Sequence, residues 1–377
     1  MFDLIIRRAR LPDERQTDVA ILDGRIAAVG EIVGAARQEL TLAQDVYLSA
    51  GWIDSHVHCY PKSPIYHDEP DRVGIDTGVT TVIDAGSTGA NDVDDFYALA
   101  SQASTRVQAL LNVSRIGLIT QAELANLDDI DGDAVCDAVQ RLPDFIVGLK
   151  ARMSSSVVGR NGIEPLHLAK SIQQRCGGLP LMVHVGNNPP DLDEIAGLLS
   201  AGDILTHCYN GKPNRMLTPA GELRAAMQAA LARGVRLDVG HGSASLSFDV
   251  ARQAIAQGIL PDTISSDIYC RNRLDGSVRS LAHVMSKFLA LGMTLPQVID
   301  RVTCNAAQGL HLQRRGRLSP GFDADLTLFR LREGDVPLAD SDNVLLQGNR
   351  TLIPLAAMVA GRWFMTDEGK KHHVFNV

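Results

Sequence analysis

Gly51-Trp-Ile-Asp-Ser-His-Val-His58 is the stretch from which the fold of this chain is read. Trp52, Ile53 and Val57 give it the apolar and aromatic character of a buried strand. His56 and His58 are two residues apart, and alternate side chains of a strand share one face. Two imidazoles therefore emerge together at the C-terminal end of an early strand, before Pro61 and Pro64 break the ladder. Imidazole nitrogen is a good ligand for zinc and its neighbours. Taken alone, a His-x-His pair is better read as two polar residues where a strand meets a loop, so the rest of the chain decides.

Downstream, apolar runs alternate with helical patterns. The strands expected are Trp52–His58, Thr80–Ala85, Val107–Val113, Phe145–Lys150, Leu181–Val185, Ile204–Cys208, Arg236–Val239 and Thr263–Ile268. Helical periodicity falls between them, over Asp94–Ala103, Asp133–Arg141, Pro165–Gln174, Ala220–Arg233 and Phe248–Gln257. Such interleaving predicts an α/β protein whose parallel sheet closes as a (β/α)8 barrel of the TIM type over residues 51–314. An open doubly wound sheet would need a Gly-rich phosphate loop after the first strand, and Ser-His-Val-His-Cys-Tyr-Pro is not one. Both ends of the chain read as β: Asp3–Ala9, Asp18–Leu22 and Arg25–Val29, with Asp23-Gly24 as a type I′ turn, then Asp325–Leu331 and Leu355–Phe364. A small β-sandwich domain built from residues 1–50 and 315–377 fits this pattern.

The 377 residues, 45% of them hydrophobic, suffice for a barrel and a smaller domain. Net charge is −8 and no Lys/Arg run stands out, so nucleic acid is not an expected partner. No apolar stretch approaches the ~20 residues that span a bilayer, and the first residues lack the apolar run of a signal peptide. Six scattered cysteines without a C-x-x-C pair suggest reduced thiols, and a cytoplasmic location follows as the expectation.

In a barrel of this kind the active site lies at the C-terminal ends of the strands. Those ends carry His56, His58, Lys150, His184, His207, His241 and Asp267. Any one of these histidines alone is better read as a hydrogen-bonded residue at a strand end. Converging on one small volume, the group would be expensive to desolvate, and a bound cation removes much of that cost. A metal site is the expectation.

His-x-His after the first strand, Lys after the fourth, His after the fifth and sixth and Asp after the eighth resemble the amidohydrolase superfamily, closest to its dihydroorotase-like branch with a carboxylated lysine. Lys150-Ala-Arg-Met-Ser, His207-Cys-Tyr-Asn-Gly-Lys, Asp238-Val-Gly-His-Gly and Asp262-Thr-Ile-Ser-Ser-Asp are similar to deacetylases in that branch acting on acetylated amino and hydroxy acids. The resemblance implies two divalent ions, zinc by expectation. His56, His58 and Asp267 would hold the more buried ion and His184 with His207 the more exposed one, while Lys150, carboxylated by CO2, would bridge them. It implies Asp267 as the catalytic proton carrier. The substrate would be a small acylated molecule, cleaved at an amide or ester bond.

Arg152 should point the same way as Lys150 and could clamp a substrate carboxylate. Tyr209, Asn210 and His241 are candidate substrate contacts, with rim structure an equal alternative. Asp54 shares the face of His56 and is a candidate acceptor for an imidazole, or an ordinary interior polar group. A cyclic amidohydrolase of the dihydroorotase or hydantoinase kind is the rival enzyme reading. A catalytically inactive barrel subunit is disfavoured because every ligand position is filled. Membrane is not an expected partner, and a homo-oligomer is left open.

Overall fold

Asp23 and Gly24 both take positive φ (51° and 70°), the conformation of a two-residue type I′ turn, and Leu22 pairs with Arg25 across them. The computed structural model describes residues 1–372 and 374–376. The N-terminal arm supplies β1 (Phe2–Arg10), β2 (Gln16–Leu22), β3 (Arg25–Gly30), β4 (Ala36–Leu42) and β5 (Tyr47–Ala50). The sequence reading passed over β4 and β5. Most of β4 is polar and open to solvent, so its strand state comes from parallel pairing with β1 and not from an apolar alternation.

The central strands are β6 (Trp52–Val57), β7 (Val79–Ala85), β8 (Arg106–Asn112), β9 (Ile146–Met153), β10 (Leu181–Val185), β11 (Ile204–Thr206) and β12 (Arg236–Leu237). They pair in chain order as one parallel sheet. Every residue of β6 and β7 is buried, as expected of a sheet covered on both faces. Helices Val93–Ala100, Gly132–Arg141, Glu164–Arg175, Leu192–Leu198, Ala225–Ala232 and Phe248–Ala256 fill the intervals. Several start at side-chain caps, among them Asp131 accepting from the amides of Asp133 and Ala134, and Ser247 accepting from that of Val250. The predicted helix over 220–233 begins only at Ala225, because a bridge between Leu217 and Leu223 holds the preceding residues in a turn.

The sheet is curled, and residues 263–268 join its two edges. Thr263 bridges to Asp238 beside β12, and Ile268 bridges to Val57 in β6. Backbone bonds run from Val239 N to Thr263 O (3.1 Å) on one side and from Asp267 N to His56 O (2.7 Å) on the other. The expected eighth strand is thus irregular, since Asp267 has φ 50° and leaves the extended conformation. Inside the curl, Ile53, Ile83, Leu110, Met182 and Ile204 pack on Ala306, Ala307 and Leu310 at the helix Cys304–Gly309. Each fully buried Ile or Leu there contributes roughly 1.5–3 kcal/mol. This apolar plug lies toward the N-terminal ends of the strands, which leaves the other end for polar side chains.

The C-terminal arm adds β13 (Leu326–Ala339), β14 (Leu345–Val359), β15 (Arg362–Met365) and β16 (Phe375–Asn376). One sheet runs β15-β14-β13-β5-β1-β2-β3, with β4 on β1 and β16 on β4, so both arms share it. The run 355–364, in which the sequence places a tight turn near Gly361-Arg362, is two strands. Ala360 and Gly361 (φ 48° and 82°) reverse the chain, and Val359 pairs with Arg362. Helix Leu281–Ala290 escaped the periodicity reading because eight of its residues are buried, leaving little polar face to mark it. No helix among the described residues is long and apolar enough to cross a membrane.

Candidate metal centre

His56 and Lys150 reach the site from β6 and β9, His184 from β10, and His58 and His207 from just beyond β6 and β11. Lys150 does not end its strand as the sequence suggested, since β9 continues through Met153. His207 and Asp267 hold φ of 62° and 50°, a left-handed backbone that costs a non-glycine residue on the order of 1 kcal/mol or more. Asp267 is kept there by its amide bond to His56 O and by Asn272 Nδ2 donating to its carbonyl (2.9 Å).

The functional atoms converge. His56 Nε2 lies 3.3 Å and His58 Nε2 3.2 Å from Asp267 Oδ1, and Lys150 Nζ lies 3.2 Å from His56 Nε2. His207 Nε2 lies 2.8 Å from His184 Nδ1. One ligand atom from each of His56, His207 and Asp267 falls within 4.8 Å of the others. These six side chains line one cavity of about 160 Å³.

Hydrogen bonds set the ring nitrogens. Thr206 Oγ1 donates to Asp238 (2.7 Å), so His56 Nδ1, 3.0 Å from that hydroxyl, must donate to it. His56 Nε2 is then a bare lone pair aimed at the cluster. His207 Nδ1 faces the carbonyl of Gly240 at 2.6 Å and can only donate, which again bares Nε2. His58 Nδ1 meets Ser87 Oγ at 2.8 Å. Burial pushes the His56 and His184 imidazoles well below their usual range and His207 down to about 4, so they are neutral, the form that ligates. Burial alone would raise the Asp267 carboxyl, but the His56 and His58 imidazoles beside it hold it well below the usual range. Burial lowers the Lys150 amine to about 8. Among the described residues no carboxylate is within ion-pair distance of Lys150 Nζ; its neighbours are His56 Nε2 and Met182 Sδ (3.4 Å). The donors present therefore fit divalent cations: neutral imidazoles, an ionised carboxylate and an amine with no counter-ion of its own.

Asp238 opens the Asp238-Val-Gly-His-Gly string of the resemblance, but its role there was not read: through Thr206 it fixes the His56 tautomer. Its carboxylate, fully buried, accepts from Thr206, Thr263 (2.5 Å), Ser265 (2.8 Å) and, at 3.4 Å, Ser55. Asp238→Ala leaves four buried hydroxyls without that acceptor and should destabilise the fold by about 3 kcal/mol or more. Urea unfolding checks this, and a loss below about 0.5 kcal/mol, the scale of an ordinary surface change, would refute it. Gly86 was also missed: a Cβ there would meet Lys150 Cγ and Cβ at 2.7 and 2.8 Å, so the lysine stem depends on that glycine.

The weaker candidates fare differently. Arg152 lines the cavity, but Glu123 takes its Nε and Nη2 at 2.6 Å each. Tyr209 turns away, its hydroxyl donating to Ile259 O (2.7 Å) among core side chains. Asn210 bonds within its own turn, to His207 O and Lys212 N. His241 faces Lys287 Nζ (2.7 Å) from the Leu281–Ala290 helix and Gly242 O (2.8 Å), not the cavity. Asp54 accepts from the Ser266 hydroxyl and amide (2.5 and 3.0 Å), so it braces the backbone before Asp267 and orients no imidazole. Tyr66, Lys212, Ser243, Ala244, Ser245 and Tyr269 complete the lining, on loops where no periodicity marks them.

No family model matches the chain. It is 44% identical over 363 residues to a deacetylase of Enterococcus faecalis, covering 96% of this chain and 98% of that protein. A deacetylase of Agrobacterium fabrum is 36% identical over 352 residues, 92% of this chain and 86% of the relative. A crystal structure described as an adenine deaminase matches with TM-score 0.95 at 43% identity, covering 97% of this chain and all of the other. Another, described as a dihydroorotase, matches with TM-score 0.88 at 33% identity, over 97% and 99%. Fold, site and relatives together define a hydrolytic enzyme with a divalent-metal centre. The chain belongs to the amidohydrolase superfamily, in its dihydroorotase-like branch among the deacetylase-like members.

Proposed function

We propose that this enzyme is a binuclear deacetylase that removes acetyl groups from small N-acetyl or O-acetyl carboxylic acids. We assign it a (β/α)8 barrel over 51–314 and a small β-sandwich domain from 1–50 and 315–377. The observation that carries the binuclear reading is the Lys150 amine, buried without a carboxylate partner and bordered by two donor groups. His56, His58 and Asp267 would hold one ion, and His184 and His207 the other. Neutral Lys150 would add CO2 at Nζ, forming an N–C bond and releasing a proton, and the carbamate would supply anionic oxygens as ligands. Two divalent ions, zinc by preference, supply there Lewis-acid polarisation of the substrate carbonyl and a water acidified toward neutrality. Asp267 Oδ1 faces His56 and His58, which leaves Oδ2 to accept the proton of the attacking water and deliver it to the leaving amine or alkoxide. The buried, fixed imidazoles keep this array from reorganising during turnover.

The two deacetylase relatives support the acetyl substrate. The dihydroorotase structure supports a cyclic amide as the rival. Protein purified with added zinc should carry close to two ions per chain and lose activity to chelators. Turnover of acetylated amino or hydroxy acids over dihydroorotate, hydantoins and adenine is the expected outcome of a substrate screen. An active preparation with one ion or none would overturn the binuclear reading, and exclusive turnover of cyclic substrates would overturn the deacetylase reading.

A further inference from the structure

We propose that Lys212, and not Arg152, is the residue that recognises the carboxylate of the substrate. The inference rests on the deacetylase reading and adds to it the side chain that sets specificity. Arg152 has the right location and the wrong company. Glu123, itself fully buried, takes two of its guanidinium nitrogens in a bidentate pair, and Gln121 O accepts from Nη2 at 3.2 Å. Its charge is neutralised before any ligand arrives, so Arg152 serves as a rigid wall.

Lys212 lines the same cavity and is partly buried. Among the described residues no carboxylate lies within ion-pair distance of its ammonium. Burial lowers its pKa, while Asp267 and Asp342 oppose that through space without contact. A desolvated ammonium without a partner is costly, and an anionic ligand relieves the cost. Its backbone is held in place. Asn210 Oδ1 accepts from Lys212 N at 3.1 Å, and Asn210 Nδ2 donates to His207 O at 2.9 Å. One tight turn therefore ties the Lys212 backbone to His207, which faces the reaction centre. The same open cavity, about 160 Å³, holds both Lys212 and the cluster of ligand side chains, so a carboxylate bound to the ammonium belongs to the molecule at the reaction centre.

The test compares an O-acetyl hydroxy acid with its methyl ester as substrates for zinc-loaded wild type, Lys212→Met and Lys212→Arg. The ratio of kcat/KM for the acid to that for the ester should fall by about 30-fold in Lys212→Met, within the range for one hydrogen bond to a charged group. KM should carry most of the change, and Lys212→Arg should restore part of the ratio. Calorimetric binding of the deacetylated hydroxy acid should weaken in Lys212→Met to a similar degree. A ratio and an affinity equal to wild type would overturn the assignment. If wild type hydrolyses no acetylated acid, the deacetylase reading fails, and titration with a panel of short carboxylic acids then decides whether Lys212 binds carboxylate at all.

Discussion

Lys150→Ala should lose metal and activity together, with turnover down by more than the ~10² that even an outer partner of a metal ligand can cost. The argument starts from burial. Lys150 is 1% exposed, its stem threads past Gly86, and its amine lies 3.2 Å from His56 Nε2 and next to Met182 sulfur. An ammonium there would be charged, desolvated and without an ion-pair partner, and burial already lowers the amine to about 8. As a carbamate the same side chain is an anion with two oxygens, which suits a position between two cations. Deleting it removes that charge and brings the cations' mutual repulsion into play. Lys150→Arg should be no better, because guanidinium stays cationic and does not add CO2. Short carboxylic acids with excess zinc should restore part of the turnover of the alanine variant by filling the space. Metal analysis and kinetics on both variants check this. An arginine variant with full metal content and ordinary turnover would remove the carbamate from the mechanism.

The site was legible in the sequence to the extent that strands impose a simple geometry. His56 and His58 share a face because side chains alternate, and the apolar runs before Lys150, His184 and His207 marked their strands. The backbone conformations that aim His207 and Asp267 were not legible, since left-handed φ at non-glycine residues follows from tertiary bonds such as Asp267 N to His56 O. Asp238 was equally hidden. It opens the Asp238-Val-Gly-His-Gly string beyond β12, but its role emerges only when Ser55, Thr206, Thr263 and Ser265 are brought around it. Arg152 shows the opposite failure. Its direction was read correctly, but Glu123, 29 residues away in the chain, claims its charge. The helix carrying Lys287 stayed invisible because burial on nearly all sides erases the amphipathic pattern.

Asp267→Asn should cut turnover by at least ~10², the lower end for loss of a general acid–base group. Asparagine keeps the volume and planar shape of aspartate, so the left-handed backbone and the packing against Gly242, where any side chain would meet the carboxylate, should survive. The negative charge and the proton acceptor disappear. In the native site the neighbouring imidazoles hold the Asp267 carboxyl below its usual range, so it is ionised at working pH, the form the proposed proton transfer requires. An amide oxygen can still contact a cation but is far too weak a base to carry the proton. Two measurements separate the roles. If Asp267→Asn retains its metal while turnover collapses, the residue acts chiefly in proton transfer; if metal is lost in step with turnover, its ligand role dominates. Near-normal turnover with full metal content would assign the proton to another group.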